Sequence, residues 1–289
     1  MQEQGSDRQG GVGPDAPLVL VGAGRMGGAM LEGWIQNGVA GPAGVVIDPG
    51  VGDRMAGLVR EAGLLLNPEV GKVPAPRVIV LAVKPQMMDK VLADAVRMAG
   101  PGTLILSVAA GKTVAGFEAA FGASQPIIRA MPNTPAAIGR GMTVCYPNAA
   151  VSGDDRALAT MLLRAVGEVA WVEDEGLMDA VTAVSGSGPA YVFHLVEAMT
   201  RGGIDAGLPE ELAVKLARAT VAGAGELMRR SGEDAGELRR NVTSPNGTTA
   251  AALDVLMGDH QGDPDAGPMA KLLSEAIAAA TRRSRELAG

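Results

Sequence analysis

The sequence predicts an α/β chain, with a doubly wound parallel sheet in its first half and only helices in its second. Three observations carry this. Short apolar runs alternate with helically spaced stretches as far as residue 171, a glycine-rich turn follows the first run, and strand signals stop after Trp171.

The elements follow in order. Residues 1–16, MQEQGSDRQGGVGPDA, lack the apolar segment of a signal peptide and read as a disordered tail. The first strand is Leu18 to Val21, and GAGRMG then opens a helix. Further strands are read at Val45 to Ile47, Val78 to Val83, Leu104 to Val108 and Ile127 to Ala130, with helices such as 53–62 and 86–99 between them. Continuous β-branched runs of this kind belong to a parallel sheet covered on both faces. The expected first domain spans 17–171 and the second 172–289. Helices in the second are read at 175–203, 208–231, 247–258 and 267–287, and Gly186, Gly188 and Pro189 are placed to break or kink the first of them.

Composition sets limits on function. The 289-residue chain is 47% apolar and 20% charged, an ordinary globular composition. Its net charge of −7 has no compensating basic stripe, which argues against nucleic-acid binding. No apolar run reaches the roughly 18 residues a membrane helix needs. The single cysteine, Cys145, leaves no intrachain disulfide framework, and a cytoplasmic location is the expectation. Aromatic residues are only 2%, so the core must be built from Ala, Val, Leu and Met. Ala and Gly dominate the second half, whose helices are therefore expected to gain burial by interleaving between chains, in at least a homodimer.

Gly22-Ala23-Gly24-Arg25-Met26-Gly27 fits G-x-G-x-x-G, directly after a strand and at the start of a helix. In that context the first glycine permits the tight turn, Gly24 lets a pyrophosphate approach the backbone, and Gly27 lets the helix pack on the sheet. The helix N-terminus offers free N–H groups to phosphates. The expected ligand is a dinucleotide. Asp48 ends the second strand, where an acid accepts hydrogen bonds from the adenosine ribose; a solvated turn residue before Pro49 is the competing reading. Lys84 in LAVKPQ ends another strand at the same edge and is read as a dinucleotide contact rather than a surface lysine. SVAAG (107–111) and RAMPNTPA (129–136) end later strands, and Asn133 and Thr134 stay open between a ligand contact and a turn.

The second half has fewer chemical signals. His194 in the apolar run YVFHLV is expected in the core, His260 lies in a Gly/Asp/Pro-rich loop without a partner motif, and Lys215 reads as a solvated helical position. The sequence has no metal-ligand spacing, evident Cys/His pair or nucleophile elbow, so no metal is expected. Hydride transfer needs none of these, because a nicotinamide supplies the reaction. The stretch NVTSPNGTT (241–249) leads into the helical run AAALDVLM. Its last N–H groups, with the hydroxyls of Ser244, Thr248 and Thr249, suit a carboxylate. A helix cap made by the same Ser and Thr residues is the alternative, and the pattern does not choose between them.

Four motifs, GAGRMGGAM, AVKPQ, AVSGSGPAY and VTSPNGTTAAAL, together resemble the pyrroline-5-carboxylate reductases in order and spacing, over residues 17–287. The resemblance implies reduction of 1-pyrroline-5-carboxylate to L-proline by NADPH or NADH, the last step of proline biosynthesis. It also implies C-terminal helices that interleave into a dimer, with dimers assembling into larger rings such as decamers. Carried over by position, Gly22, Ala23, Gly24, Arg25, Met26, Gly27, Val83, Lys84 and Ala110 contact the dinucleotide, with Asn241 near it. Ser244 and the backbone at Thr248 and Thr249 hold the substrate carboxylate, the Thr249 hydroxyl meets the ring nitrogen as the catalytic contact, and Glu175 borders the substrate. Two departures stand out. The usual second glycine of the substrate loop is Asn246 here, and Asp48 stands where relatives often carry Ser or Thr. A carboxylate there tilts the expectation toward NADH. A β-hydroxyacid dehydrogenase relative is the competing enzyme, but SGSGPAYVFHLVEA lacks the helical lysine of alcohol oxidation. A non-catalytic dinucleotide-binding regulator is the competing class.

Overall fold

A computed structural model describes residues 12–13, 16–39, 43–258 and 267–288. The expected tail falls mostly outside the described residues, as does His260 with its loop. Two compact units form. One comprises Met1–Gly186 with Arg283–Gly289, the other Ser187–Arg282.

The first unit is built on a single sheet. Its strands are β1 (Leu18–Val21), β2 (Gly44–Ile47), β3 (Leu65–Leu66), β4 (Val78–Leu81), β5 (Leu104–Ser107), β6 (Ile127–Met131), β7 (Gly141–Pro147) and β8 (Gly167–Trp171). They lie in the order β3-β2-β1-β4-β5-β6-β7-β8. Every neighbouring pair is parallel except β6 with β7. Helices α1 (Arg25–Gln36), α2 (Asp53–Glu61), α3 (Met88–Met98), α4 (Val114–Phe121) and α5 (Gly153–Arg164) connect the strands.

Strand periodicity sorts the core onto two faces. Leu18, Leu20, Val78, Val80, Leu104 and Leu106 pack with Met30, Leu31 and Trp34 of α1 and with Leu158 and Leu162 of α5. Val19, Val21, Ile79, Leu81 and Ile105 pack with Met88, Ala95 and Met98 of α3 and with Phe117 of α4. Every second residue serves the opposite layer, so the runs must be apolar throughout. The indole N–H buried in the first layer is satisfied: Trp34 donates it to the Leu162 carbonyl at 2.8 Å.

Three strands escape the sequence pattern. β3 has two residues, while β7 runs antiparallel to β6 and parallel to the edge strand β8, in the register Gly141↔Gly167. That register demands glycine, because a Cβ on Gly167 would lie 2.0 Å from the Gly141 carbonyl oxygen. A glycine at a strand end reads locally as a turn, and only the partner shows why it belongs to the sheet.

The sheet unit also extends beyond the expected division at 172. Met178, on the short helix α6 (Met178–Val181), and Ala183, in the π-helical turn Thr182–Gly186, are both fully buried. Gly186 packs where a Cβ would stand 2.5 Å from the Met131 side chain. The helix then restarts at Gly188 with Pro189 in its first turn, the break that those residues predict.

The second unit is helical: α7 (Gly188–Asp205), α8 (Glu210–Ser231), α9 (Ala235–Asn241), α10 (Thr248–Met257) and most of α11 (Pro268–Ala288). α7 meets α8 where Gly203 faces Ala213, a Cβ on Gly203 lying 3.3 Å from that of Ala213. His194 is not packed within its own chain. Its ring is 81% exposed and Nδ1 lies 3.0 Å from Glu197 Oε2, because α7 turns the apolar run around it outward. Among the described residues, no helix is long and apolar enough to cross a membrane.

One buried charge pair joins the sheet to α5. Arg77 donates to Asp155 Oδ1 at 2.8 Å, while Asp155 Oδ2 accepts the Ser152 N–H and hydroxyl in a capping box. Burial raises the Asp155 carboxyl, but the Ser152 hydrogen bonds and the Arg77 guanidinium outweigh it and hold it below its usual range. A depressed folded-state value means that this stabilisation is complete above the unfolded value of about 4 and is lost as pH falls through the folded one. Asp155→Ala should therefore cost about 3–5 kcal/mol at pH 7. In urea titrations the gap to the wild type should narrow below about pH 4; a gap constant down to pH 2 would assign the loss to packing instead.

Candidate active site

The strand order reverses between β1 and β4, and α/β sheets bind ligands beside the carboxyl ends of strands at such a point. A crevice of about 900 Å³ lies there. Of the residues carried over as dinucleotide contacts, Gly22, Gly24, Arg25, Met26, Val83, Lys84 and Ala110 all line it, together with Asp48.

Each glycine of the loop has its own reason. Gly22 has φ +92°, and a Cβ there would lie 2.8 Å from Val83 Cγ1. Gly27 packs so closely that a Cβ would stand 2.0 Å from the Gly22 carbonyl oxygen. It therefore seats α1 on the loop instead of lining the crevice. Gly24 differs from both: its Cβ would meet nothing within 4 Å, so its backbone faces open space in the crevice wall. It is also the N-cap of α1, with no side chain capping it. The first bond of the helix runs from the Gly28 N–H to the Gly24 carbonyl at 2.7 Å, which leaves earlier N–H groups for an anion.

Asp48 is more than a solvated turn. Its Oδ2 accepts the Ala23 N–H at 2.8 Å and its Oδ1 the Gly50 N–H at 2.9 Å. Ala23 thus anchors the glycine loop to the end of β2. Asn67, which the sequence reading passed over, clasps the Asp48 backbone with two bonds of 2.7 and 2.9 Å from a left-handed φ of 48°. The one available signal was its position as an Asn before Pro68, after the apolar run Leu64 to Leu66. A carboxylate has about four acceptor positions. Two are occupied here, which leaves capacity for ribose hydroxyls. In size, open N–H donors and carboxylate, the crevice fits a dinucleotide. Among the described residues, no group of three His, Cys, Asp or Glu is placed to hold a metal ion.

The ends of β5 and β6 are braced by polar contacts across the sequence. Glu175 Oε1 accepts both the Val114 N–H and a guanidinium N–H of buried Arg129, each at 2.9 Å. Asn133 accepts the Met142 N–H at 2.9 Å and donates to the Ser185 carbonyl and hydroxyl at 3.3 Å each. Its side chain is a staple between the MPNTP turn and the π-helical turn. Cys145 is buried, which pushes its thiol up to about 12 and leaves it inert as a nucleophile.

In the helical unit, Ser244, Thr248 and Thr249 gather at the start of α10. Gly247 is the N-cap and makes no side-chain cap bond. The ladder begins with the Ala251 N–H on the Gly247 carbonyl at 3.1 Å, so the N–H groups of Thr248, Thr249 and Ala250 precede it. Asn246 has φ 57°, a left-handed conformation that asparagine tolerates better than most residues. The replaced glycine therefore leaves the turn in a glycine-like shape. Asn241 ends α9 and donates to Glu233 Oε2 at 3.2 Å.

Residues 175–287 match the family model described as pyrroline-5-carboxylate reductase dimerisation, and residues 17–111 match NADP oxidoreductase coenzyme F420-dependent. A pyrroline-5-carboxylate reductase of Pseudomonas aeruginosa is 40% identical over 272 residues, 94% of this chain and 96% of that protein. The chain belongs to the pyrroline-5-carboxylate reductase family. A family member from a Synechocystis species is 40% identical over 273 residues, 93% of this chain and 97% of its own. The solved structure of the Coxiella burnetii enzyme superposes with a TM-score of 0.85 at 32% identity, covering 95% of this chain and 99% of that one. The Plasmodium falciparum enzyme, solved with NADP bound, superposes with a TM-score of 0.76 at 26% identity, covering 96% and 99%.

Two of the loop glycines make separable claims. Gly27→Ala forces a Cβ against backbone and should cost about 1–3 kcal/mol or more of stability. Gly24→Ala should leave the melting temperature unchanged and weaken dinucleotide binding by about tenfold or more, by denying close approach to the backbone. Thermal melts with dinucleotide titrations check both, and equal melting temperatures for the two variants would contradict the assignment.

Proposed function

We propose that this chain transfers a hydride from a reduced nicotinamide dinucleotide, preferentially NADH, to 1-pyrroline-5-carboxylate, forming L-proline in the last step of proline biosynthesis. The observation that carries the substrate side is the uncapped start of α10, where three backbone N–H groups and the hydroxyls of Ser244, Thr248 and Thr249 are free of a capping role. A carboxylate is the anion that three such N–H groups and a short turn suit.

The reduced nicotinamide supplies the hydride. Residues of this chain orient its acceptor: the α10 N-terminus takes the substrate carboxylate, and the Thr249 hydroxyl meets the ring nitrogen. The hydride acceptor is the imine carbon, most electrophilic when that nitrogen is protonated, and the proton arrives with the substrate or from water. Glu175, fixed by Arg129 and the Val114 N–H, borders the substrate as a held carboxylate rather than a proton donor. The dinucleotide is held by Gly22 to Met26, Asp48, Val83, Lys84 and Ala110, on a loop that Gly27 seats against the sheet, with Asn241 contributing from α9. No step calls for a strongly shifted pKa.

The same reading includes a homodimer, or a larger ring built from dimers, acting in the cytoplasm. The helical unit supports it by its surface: Val255 is 75% exposed, Leu272 67% and Phe193 64%, while its buried apolar side chains are only Ala213, Ala217 and Met257 among the described residues. Exposed apolar area of this extent calls for a covering partner.

The purified protein should consume NADH with pyrroline-5-carboxylate, far faster than it oxidises 3-hydroxy acids in reverse. Thr249→Ala should lower kcat/KM by about 10–150-fold, the worth of one hydrogen bond to a charged group. Because Thr249 caps nothing, the melting temperature should stay put. A lowered melting temperature with intact kinetics would return Thr249 to a structural role.

Cofactor choice follows from Asp48. Against a 2′-phosphate about 4 Å away, its charge costs about 1 kcal/mol in water and about 4 kcal/mol at an effective dielectric of 20. NADH is therefore expected to be preferred by about fivefold or more in kcat/KM. Asp48→Asn keeps one acceptor oxygen but removes the charge, and should erase most of that preference. A wild-type enzyme that favours NADPH tenfold would count against this role.

A further inference from the structure

Arg54 bears the charge closest in sequence that is able to oppose Asp48, and the structure shows it already engaged. It stands in the first turn of α2, after the uncapped Gly52, and its guanidinium is ion-paired with Glu32 of α1. The pair borders a second hollow, of about 540 Å³, whose walls include Gly24, Arg25, Glu32, Asp53 and Arg54. Gly24 and Arg25 also line the dinucleotide crevice, so the two hollows adjoin at the glycine loop. Arg54 itself lines only the second hollow. With the pair closed, its charge is turned toward α1, while the Asp48 carboxylate stays in the crevice.

We propose that Glu32 is a positioning residue for cofactor choice: by holding Arg54 it withholds from NADPH the guanidinium that would otherwise meet the 2′-phosphate. The proposal rests on the dinucleotide reading above. Guanidinium and phosphate form paired, charge-assisted hydrogen bonds, so an Arg54 released from Glu32 has a stronger partner in NADPH than in NADH. The size of the effect is bounded by the pair itself. The Arg54 side chain is 79% exposed and that of Glu32 29%, and a largely solvated ion pair restrains its arginine only modestly.

The test measures dissociation constants for NADH and NADPH, by fluorescence of the reduced nicotinamide, with four proteins: wild type, Glu32→Gln, Arg54→Gln and the double variant. Glu32→Gln should tighten NADPH relative to NADH by roughly three- to fivefold, the scale set by a surface ion pair. In the Arg54→Gln background the same substitution should move the ratio by clearly less, leaving only the direct effect of the Glu32 charge. Removing the Glu32 charge also weakens a direct repulsion of the phosphate, but that part persists without Arg54, so the double variant separates the two. An unchanged ratio in Glu32→Gln overturns the proposal, and so does an equal shift with and without Arg54. A wild-type protein that binds neither dinucleotide overturns the proposal together with the reading beneath it. Intact binding with an unmoved ratio overturns the proposal alone.

Discussion

The constraint on which the dinucleotide site depends is the absence of side chains between β1, β4 and α1. The Gly22 carbonyl oxygen occupies the position that a Cβ on residue 27 would need, at 2.0 Å, and Gly22 itself is pressed on Val83 and Ala82. Loop, helix and neighbouring strand are therefore in backbone contact, and α1 starts directly at the carboxyl edge of the sheet. That contact aims the free N–H groups of α1 into the crevice. Of the three, Gly24 alone has open space before it, which separates it from the two glycines that the packing of the fold needs.

Polar side chains then fix the loops around this contact. Asp48 draws the Ala23 N–H to the end of β2, and Asn67 holds Asp48 from the far side. Glu175 joins buried Arg129 to the start of α4, and Asn133 joins two turns that lie 52 residues apart in sequence. Each bond satisfies a backbone or charged group that would be costly to leave unpaired near the core. The crevice is thus shaped by partially buried hydrogen bonds, with the Ala, Val and Leu layers beneath them supplying the burial.

The helical unit follows a different rule. Its internal contacts rely on small residues, as where Gly203 faces Ala213, and its large apolar side chains point outward. Two residues, His194 and Asn246, show how differently local chemistry can resolve there. His194 lies in an apolar run yet is exposed and paired with Glu197, whereas Asn246 replaces a glycine without changing the turn, because asparagine accepts the same left-handed φ.

What the sequence determined by itself was whatever depends on near neighbours along the chain. The five short apolar runs, the glycine loop at the end of the first, the break at Gly186 to Pro189 and the turn before α10 were all legible, because periodicity and glycine chemistry act within a few residues. So was the family, through four short motifs. The tertiary structure decided what depends on partners distant in sequence. β7 and β8 are strands because of the neighbours they meet, and residues 172–186 belong to the sheet's unit, where Met178 and Ala183 are buried. Asp48 was a turn residue or a ribose acceptor by pattern; its bond to Ala23, 25 residues away, makes it part of the loop's support. Nothing in the local sequence gives Arg54 a direction; its contact with Glu32, 22 residues earlier, does. Spacing along the chain carries no record of such pairings, since the fold brings the groups together only after both have been placed by their own elements.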